Sequence, residues 1–337
     1  MTRRCRPQPL QPPTSRRTFL QTAGVFATSL ALPSRARAGL PPLDRPIKIG
    51  LIADLHHDVM HDGPQRLAAF LNTIESEQPD AVMQLGDFAY PNKKNRAVTE
   101  AFQQAHPRAW HVLGNHDIDD GHSFEEVVKL WGMKGRYYTE TVGGLHVVVL
   151  DGNEKPPDHQ GGYPHHIGPV QLDWLRSQLE DLDGPIVVFC HQPLAGPSCV
   201  DNSAEVQAVL NEAAEKILLT VNGHTHIDHV VRADKIINLH INSASYYWVG
   251  GKHVHESYAN EIHAAYPDIQ YTCPYDRPLF TTLMIDQDCG QIHLFGRQAE
   301  WVGKSPAELG SDSGSNLIDG EEICPRIRAR TLRRPPV

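Results

Sequence analysis

Long apolar runs are missing from this chain. No stretch reaches the ~18 residues that a membrane-spanning helix needs, which excludes a multi-pass membrane protein. A cationic surplus is missing too. Against 40 Asp and Glu stand 31 Lys and Arg, for a net charge of −9, which argues against a general nucleic-acid binder with its basic surface. Cysteine is scarce at 6 and methionine at 5, and the wide, irregular cysteine spacing does not read as a zinc clip. No internal repeat is present. What remains is a chain of 337 residues, 40% hydrophobic and 21% charged. That is enough for a sizeable core and too apolar for wholesale disorder. Histidine stands out with 20 copies; it is the commonest metal ligand and the proton carrier near neutral pH.

The charge is unevenly spread. Residues 1–38 hold seven Arg and no acid, leaving 24 bases against 40 acids in the rest. Ser15-Arg16-Arg17-Thr18-Phe19-Leu20 is followed by an apolar stretch to Leu32 and then by Ala36-Arg37-Ala38. A basic flank, a short apolar region and a small-x-small end read as an export signal removed near Ala38. The paired arginines resemble the twin-arginine type, whose machinery exports folded proteins. The expectation is a periplasmic or extracellular protein with the twin-arginine export machinery as partner and no stable membrane insertion. Residues 39–46, with Pro41, Pro42 and Pro46, read as a linker. Beyond the signal the five cysteines (Cys190, Cys199, Cys273, Cys289, Cys324) allow at most two disulfides.

The body of the fold is expected over residues 47–300, with 301–337 as a C-terminal extension. Short apolar runs at 47–53, 81–85, 110–113, 145–150, 186–189 and 217–221 read as strands. Residues 64–77 and 169–182 have helical spacing. Buried strands alternating with helices suggest a sheet layered with helices. Residues 229–242 and 279–295 read as further strands, expected as a second sheet of the same domain. In the tail, Ile323, Ile327 and Ala329 alternate with Arg326, Arg328 and Arg330; an Arg-faced edge strand and a disordered basic tail both fit this pattern. Residues 243–278 are rich in Tyr and Trp, which fits either a substrate pocket wall or a satellite core.

Polar clusters sit where these strands end: Asp54-Leu55-His56, Gly86-Asp87, Gly114-Asn115-His116-Asp117, His191 and Gly223-His224-Thr225-His226. In α/β sheets, ligands bind outside the carboxyl ends of strands. Each cluster offers O or N donors and none a thiolate pair, a set suited to Mn, Fe or Zn. Glycines before Asp87, Asn115 and His224 permit tight turns. A carboxylate shared by two ions lets them lower the pKa of a shared water and clamp phosphate oxygens.

This ordered set resembles the calcineurin-like metallophosphoesterase superfamily, whose motifs run D-x-H, G-D, G-N-H-D/E, H, G-H-x-H; the match covers about residues 47–297. The resemblance implies an α/β fold, a four-layer α-β-β-α sandwich of two mixed sheets flanked by helices. It implies two divalent or mixed-valence metal ions, with Asp54, His56 and His226 on one, Asn115, His191 and His224 on the other, and Asp87 bridging. His116 would be the general acid, Asp117 its orienting carboxylate, and Asn115 a further contact to phosphate. The implied activity is hydrolysis of a phosphate ester by hydroxide attack on phosphorus. The substrate would be a small phosphomonoester, phosphodiester or nucleotide pyrophosphate. A cyclic-nucleotide phosphodiesterase and a non-catalytic scaffold of the same fold are the alternatives. Tyr90 matches the Gly-Asp-x-x-Tyr of purple acid phosphatases, but His56 stands where those enzymes carry glycine, so Tyr90 is expected to wall the pocket. His57 and Asp58 read as a solvated turn, His165 and His166 as surface-loop histidines, and His111 as a core histidine.

Overall fold

A computed structural model describes residues 40–311 and 323–334. The export-signal expectation for residues 1–38 lies outside them. The strands are β1 (Ile47–Ile52), β2 (Ala81–Gln84), β3 (Ala109–His111), β4 (Tyr138–Val142), β5 (Leu145–Val149), β6 (Ile186–Phe189), β7 (Ile217–Asn222) and β8 (His229–Ala233). They continue as β9 (Ile236–His240), β10 (Tyr246–Trp248), β11 (Thr272–Pro274), β12 (Thr281–Ile285), β13 (Gln291–Leu294), β14 (Arg297–Gln298), β15 (Arg326–Ile327) and β16 (Arg330–Arg333). The helices are α1 (Gly63–Glu77), α2 (Arg96–Gln104), α3 (Phe124–Leu130), α4 (Pro169–Asp181), α5 (Ser203–Glu212) and α6 (Asn260–Ala265). None is long and apolar enough to cross a membrane.

Two six-stranded sheets dominate, in the orders β16-β13-β12-β1-β2-β3 and β4-β5-β6-β7-β9-β8. In the first, β1, β2 and β3 run parallel and β12 and β13 antiparallel. In the second, β5, β6, β7 and β9 run parallel. Alternation along the strands builds the layers, because successive side chains point to opposite faces. Ile47, Ile49 and Leu51 of β1 face the core between the sheets, as do Val187 and Phe189 of β6. Ile52 instead packs with Leu67, Phe70 and Ile74 of α1 and Phe102 of α2. Ile186 and Val188 pack with Leu172 and Leu175 of α4 and Val206 of α5. The result is the expected four-layer sandwich of helix, sheet, sheet and helix.

Local signals explain the helix ends. Pro64 opens α1, where its missing N–H costs nothing, and Gln78 closes it in the left-handed region at φ 48. Ser123 and Glu126 form a reciprocal capping box on α3.

Two expectations need correction. Residues 229–240 join the second sheet, but 281–294 join the first, through β12 pairing antiparallel with β1. Those partners lie at opposite ends of the fold's sequence, a pairing that local patterning cannot reveal. In the tail, the edge strand begins at Arg330, with Leu332 and Ile327 buried in the central core. Arg328 and Arg330 are half-buried rather than fully solvated: both pair with the buried carboxylate of Asp228. The Arg328 amide also donates to Asp228 (3.0 Å), which takes it out of the strand ladder.

Candidate metal centre

The loops leaving β1, β2, β3, β6 and β7 converge at one end of the sandwich. Asp54, His56, Asp87, His224 and His226 all adopt the left-handed region, with φ between 45° and 66°. Asp and His are enriched there among non-glycine residues, and each such residue stores of order 1–3 kcal/mol of strain. The chain tolerates it because the loops hold one another. The amides of Asp54 and His56 donate to the carbonyls of Gly86 (3.1 Å) and Asp87 (2.9 Å). The His224 amide donates to Asp54 Oδ1 at 3.0 Å. A Cβ on Gly114 would lie 2.1 Å from the Asp87 nitrogen, and one on Gly223 would lie 2.5 Å from Asp54 Oδ2. Only glycine fits at these approaches.

Two groups of donors result: Asp54 with His56 and His226, and Asp87 with His191 and His224. In the first, His226 Nε2 lies 3.3 Å from Asp54 Oδ1 and 3.2 Å from His56 Nε2. In the second, His191 Nε2 lies 3.2 Å from each of Asp87 Oδ2, His224 Nδ1 and Asn115 Oδ1. Donors about 2.0–2.2 Å from a cation are separated by roughly 3–3.5 Å along the edges of its coordination shell. Asp87 Oδ2 also lies 3.5 Å from His56 Nε2, so this carboxylate stands between the groups, while its Oδ1 accepts the His116 amide at 2.8 Å. His191 is oriented by Nδ1 donating to the Leu85 carbonyl at 2.7 Å, which points Nε2 at the other donors.

The electrostatics agree with this fit. Burial pushes His56 and His224 well below the ordinary imidazole range, which keeps them in the neutral, ligating form. Burial also opposes charge on His191, but Asp87 overrides it and pushes the ring up to about 9. Asp87 thereby draws in the positive charge that a cation would supply. Burial alone would raise Asp87; His191 and His116 hold it well below the usual carboxylate range.

His116 lines a cleft of about 270 Å³ together with Asp87, His224, His226, Tyr246 and Trp248. Asp117 does not touch it, contrary to expectation. Its carboxylate accepts the amides of Gly114 (2.7 Å), Asp87 (3.1 Å) and Phe88 (2.7 Å), and so buttresses the β2 and β3 loops from beneath. Burial and the Asp87 charge push Asp117 up to about 7, against the amides that hold it down. The carboxylate that does meet His116 is Asp119, 2.7 Å from Nδ1.

Among the other neighbours, some depart from expectation and some meet it. Asp58 is a buried hub, accepting from the Tyr90 amide and Asn95 Nδ2 and pairing with Lys94. Tyr90 walls a small cavity with His56, Asp87 and His116, as expected, and burial raises its phenol. His165 is no plain surface residue: its ring packs edge-on against His224 at 5.0 Å. His111 is a buried core histidine stacked on Trp131. The aromatic segment divides. Tyr246 stacks on His56 at 4.9 Å and lines the cleft with Tyr247 and Trp248, while Tyr258 and Tyr266 pack on a satellite core with Met60 and Ile269. Sequence reading missed Ser243 and Ser245, whose hydroxyls grip the carbonyls of Asp54 (2.9 Å) and Leu55 (2.6 Å). The cysteines at 190, 199, 273, 289 and 324 are all unpaired.

Two facing groups of metal donors across the seam of an α-β-β-α sandwich define a metal-binding α/β protein. The family model for calcineurin-like phosphoesterase matches residues 47–228, and the chain belongs to that family, which is metal-dependent. A curated relative, a "Probable cyclic nucleotide phosphodiesterase" of Fibrobacter succinogenes, is 25% identical over 215 residues, 56% of this chain and 76% of the relative. Among solved structures, a dimetal phosphatase from Danio rerio superposes with a TM-score of 0.52 at 15% identity, covering 78% of this chain and all of that one. GAP50, the anchor in the inner membrane complex of Plasmodium, gives 0.51 at 12% identity, covering 87% and 90%. At these identities the structures speak for the fold alone.

Proposed function

We propose that this protein is a dinuclear-metal hydrolase of small phosphate esters. The observation that carries the reading is the placement of Asp87 Oδ2 between His56 Nε2 (3.5 Å) and His191 Nε2 (3.2 Å), one in each donor group. Two bound ions, from among Mn, Fe and Zn, would lower the pKa of a shared water and absorb charge on the phosphate oxygens. Asp54, His56 and His226 would hold one, Asn115, His191 and His224 the other, with Asp87 common to both. His116, lining the same cleft, supplies the proton to the leaving oxygen. The intact donor set favours this over a scaffold role, which the fold alone permits. The similarity to a probable cyclic nucleotide phosphodiesterase favours a phosphodiester within the ester class. Export through the twin-arginine machinery, read from residues 1–38, belongs to the same proposal and points to scavenging of esters outside the cytoplasm.

The test is turnover of bis-p-nitrophenyl phosphate, p-nitrophenyl phosphate and 3′,5′-cyclic AMP by protein loaded with Mn, beside measured metal content. Asp87→Asn is expected to lose both metal and activity. His116→Ala is expected to keep its metal and lose roughly 10²–10⁴-fold with poorly departing alkoxides, and far less with nitrophenolate. Protein carrying two metals that turns over none of these esters would return the scaffold reading.

A further inference from the structure

His116 Nδ1 lies 2.7 Å from Asp119 Oδ2. His116 opens a 3-10 turn, His116–Ile118, and Asp119 caps it three residues on, a spacing that brings side chains to the same side. A third group joins them from a separate loop. The Tyr163 hydroxyl donates to Asp119 Oδ1 at 2.7 Å and Oδ2 at 2.9 Å, and it lies 3.1 Å from His116 Nδ1. The Tyr163 ring also packs on the imidazole, with centroids 4.7 Å apart. Gly161 and Gly162, at φ 87° and 75°, let that loop reach the site.

We infer that Asp119 and Tyr163 are positioning residues that fix the tautomer and orientation of His116 for proton delivery. This rests on His116 being the acid of the proposed hydrolase. An ionised carboxylate only accepts hydrogen bonds, so Nδ1 must carry the proton that meets Asp119. Nε2 is then the nitrogen that serves the cleft. As the bond from phosphorus to the leaving oxygen breaks, its electron pair stays on that oxygen. The oxygen takes the proton from Nε2, and the imidazolium becomes the neutral Nδ1–H tautomer. Tyr163 donates its one hydroxyl hydrogen to Asp119, and its ring blocks rotation of the imidazole. Asp117 cannot do this work, since both its oxygens are committed to backbone amides.

Two measurements on the full chain test the inference. The first is kcat for a p-nitrophenyl diester and for an alkyl diester. Asp119→Asn should lose roughly 10–100-fold more with the alkyl than with the p-nitrophenyl leaving group. Tyr163→Phe should show the same split, smaller. The second is the proton NMR spectrum of the metal-free protein. A downfield imidazole N–H signal, assigned by its absence in His116→Ala, should vanish in Asp119→Asn and shift in Tyr163→Phe. If wild type is active but Asp119→Asn slows both diesters equally, or leaves the downfield signal in place, the positioning role is overturned while the hydrolase reading stands. If His116→Ala itself shows no leaving-group split, the assignment of His116 as acid falls, and the inference falls with it.

Discussion

Five donor residues share one uncommon backbone state, and the reason lies in what each strand end must do. Asp54, His56, Asp87, His224 and His226 must turn sharply off a buried strand and present a side chain inward within a few residues. Glycine makes room beside them. A methyl group on Gly114 would collide with the backbone nitrogen of Asp87 (2.1 Å) and with Oδ1 of its side chain (2.2 Å). Backbone cannot swing aside as a flexible side chain can. Gly114→Ala is therefore expected to cost about 1–3 kcal/mol by overpacking. It should also displace Asp87 and abolish metal uptake, though position 114 carries no donor. Urea unfolding and metal content on the same sample check this; normal metal stoichiometry in Gly114→Ala would show that the loop can relax.

At the scale of elements, the site depends on a segment remote from it in sequence. Asp228 lies two residues beyond His226, fully buried, and holds Arg328 and Arg330 from the C-terminal tail. Asn242, two residues past β9, grips the same tail through the carbonyls of Cys324 (2.9 Å) and Arg326 (3.1 Å). Breaking one side of a buried ion pair leaves uncompensated charge and typically costs about 3–5 kcal/mol. Asp228→Asn should lose stability of that order and loosen the loop of His224 and His226, so its metal affinity should fall as well. Chemical denaturation and a metal titration read the two effects. A stability loss with unchanged affinity would confine the tail to a structural role. This coupling shows where sequence reading stops. The strand ends were legible because glycine, Asp and His punctuate short apolar runs, a local signal. The donors were legible because each lies within a few residues of such an end. Tyr163, the Asp228 clamp and the pairing of β12 with β1 were not, since each joins segments far apart in the chain. Asp117 was misassigned because adjacency in sequence says nothing about which way a side chain leaves a 3-10 turn.

At the scale of the whole molecule, each donor group takes ligands from both sheets. Asp54 and His56 follow β1, and Asp87 follows β2, in the first sheet; His191 follows β6, and His224 and His226 follow β7, in the second. The apolar core between the sheets also joins them, with hydrogen bonds such as His191 Nδ1 to the Leu85 carbonyl and the Tyr138 hydroxyl to the His111 carbonyl. Cations held at this seam would tie the sheets together only in the folded state, since the unfolded chain scatters the donors. Binding to the native state alone adds about 4 kcal/mol when free metal is 1,000 times its Kd. For a domain of this size each kcal/mol moves Tm by roughly 2–4 °C. Chelation is therefore expected to lower Tm by about 10 °C, and added Mn or Zn to restore it. His226→Ala should reduce that shift, because it removes the second-sheet ligand from the first group. Differential scanning calorimetry at several metal concentrations provides the check, with stability rising logarithmically with free metal. Equal melting of the chelated and metal-loaded forms, with metal content verified, would mean that the two sheets close without help from the site between them.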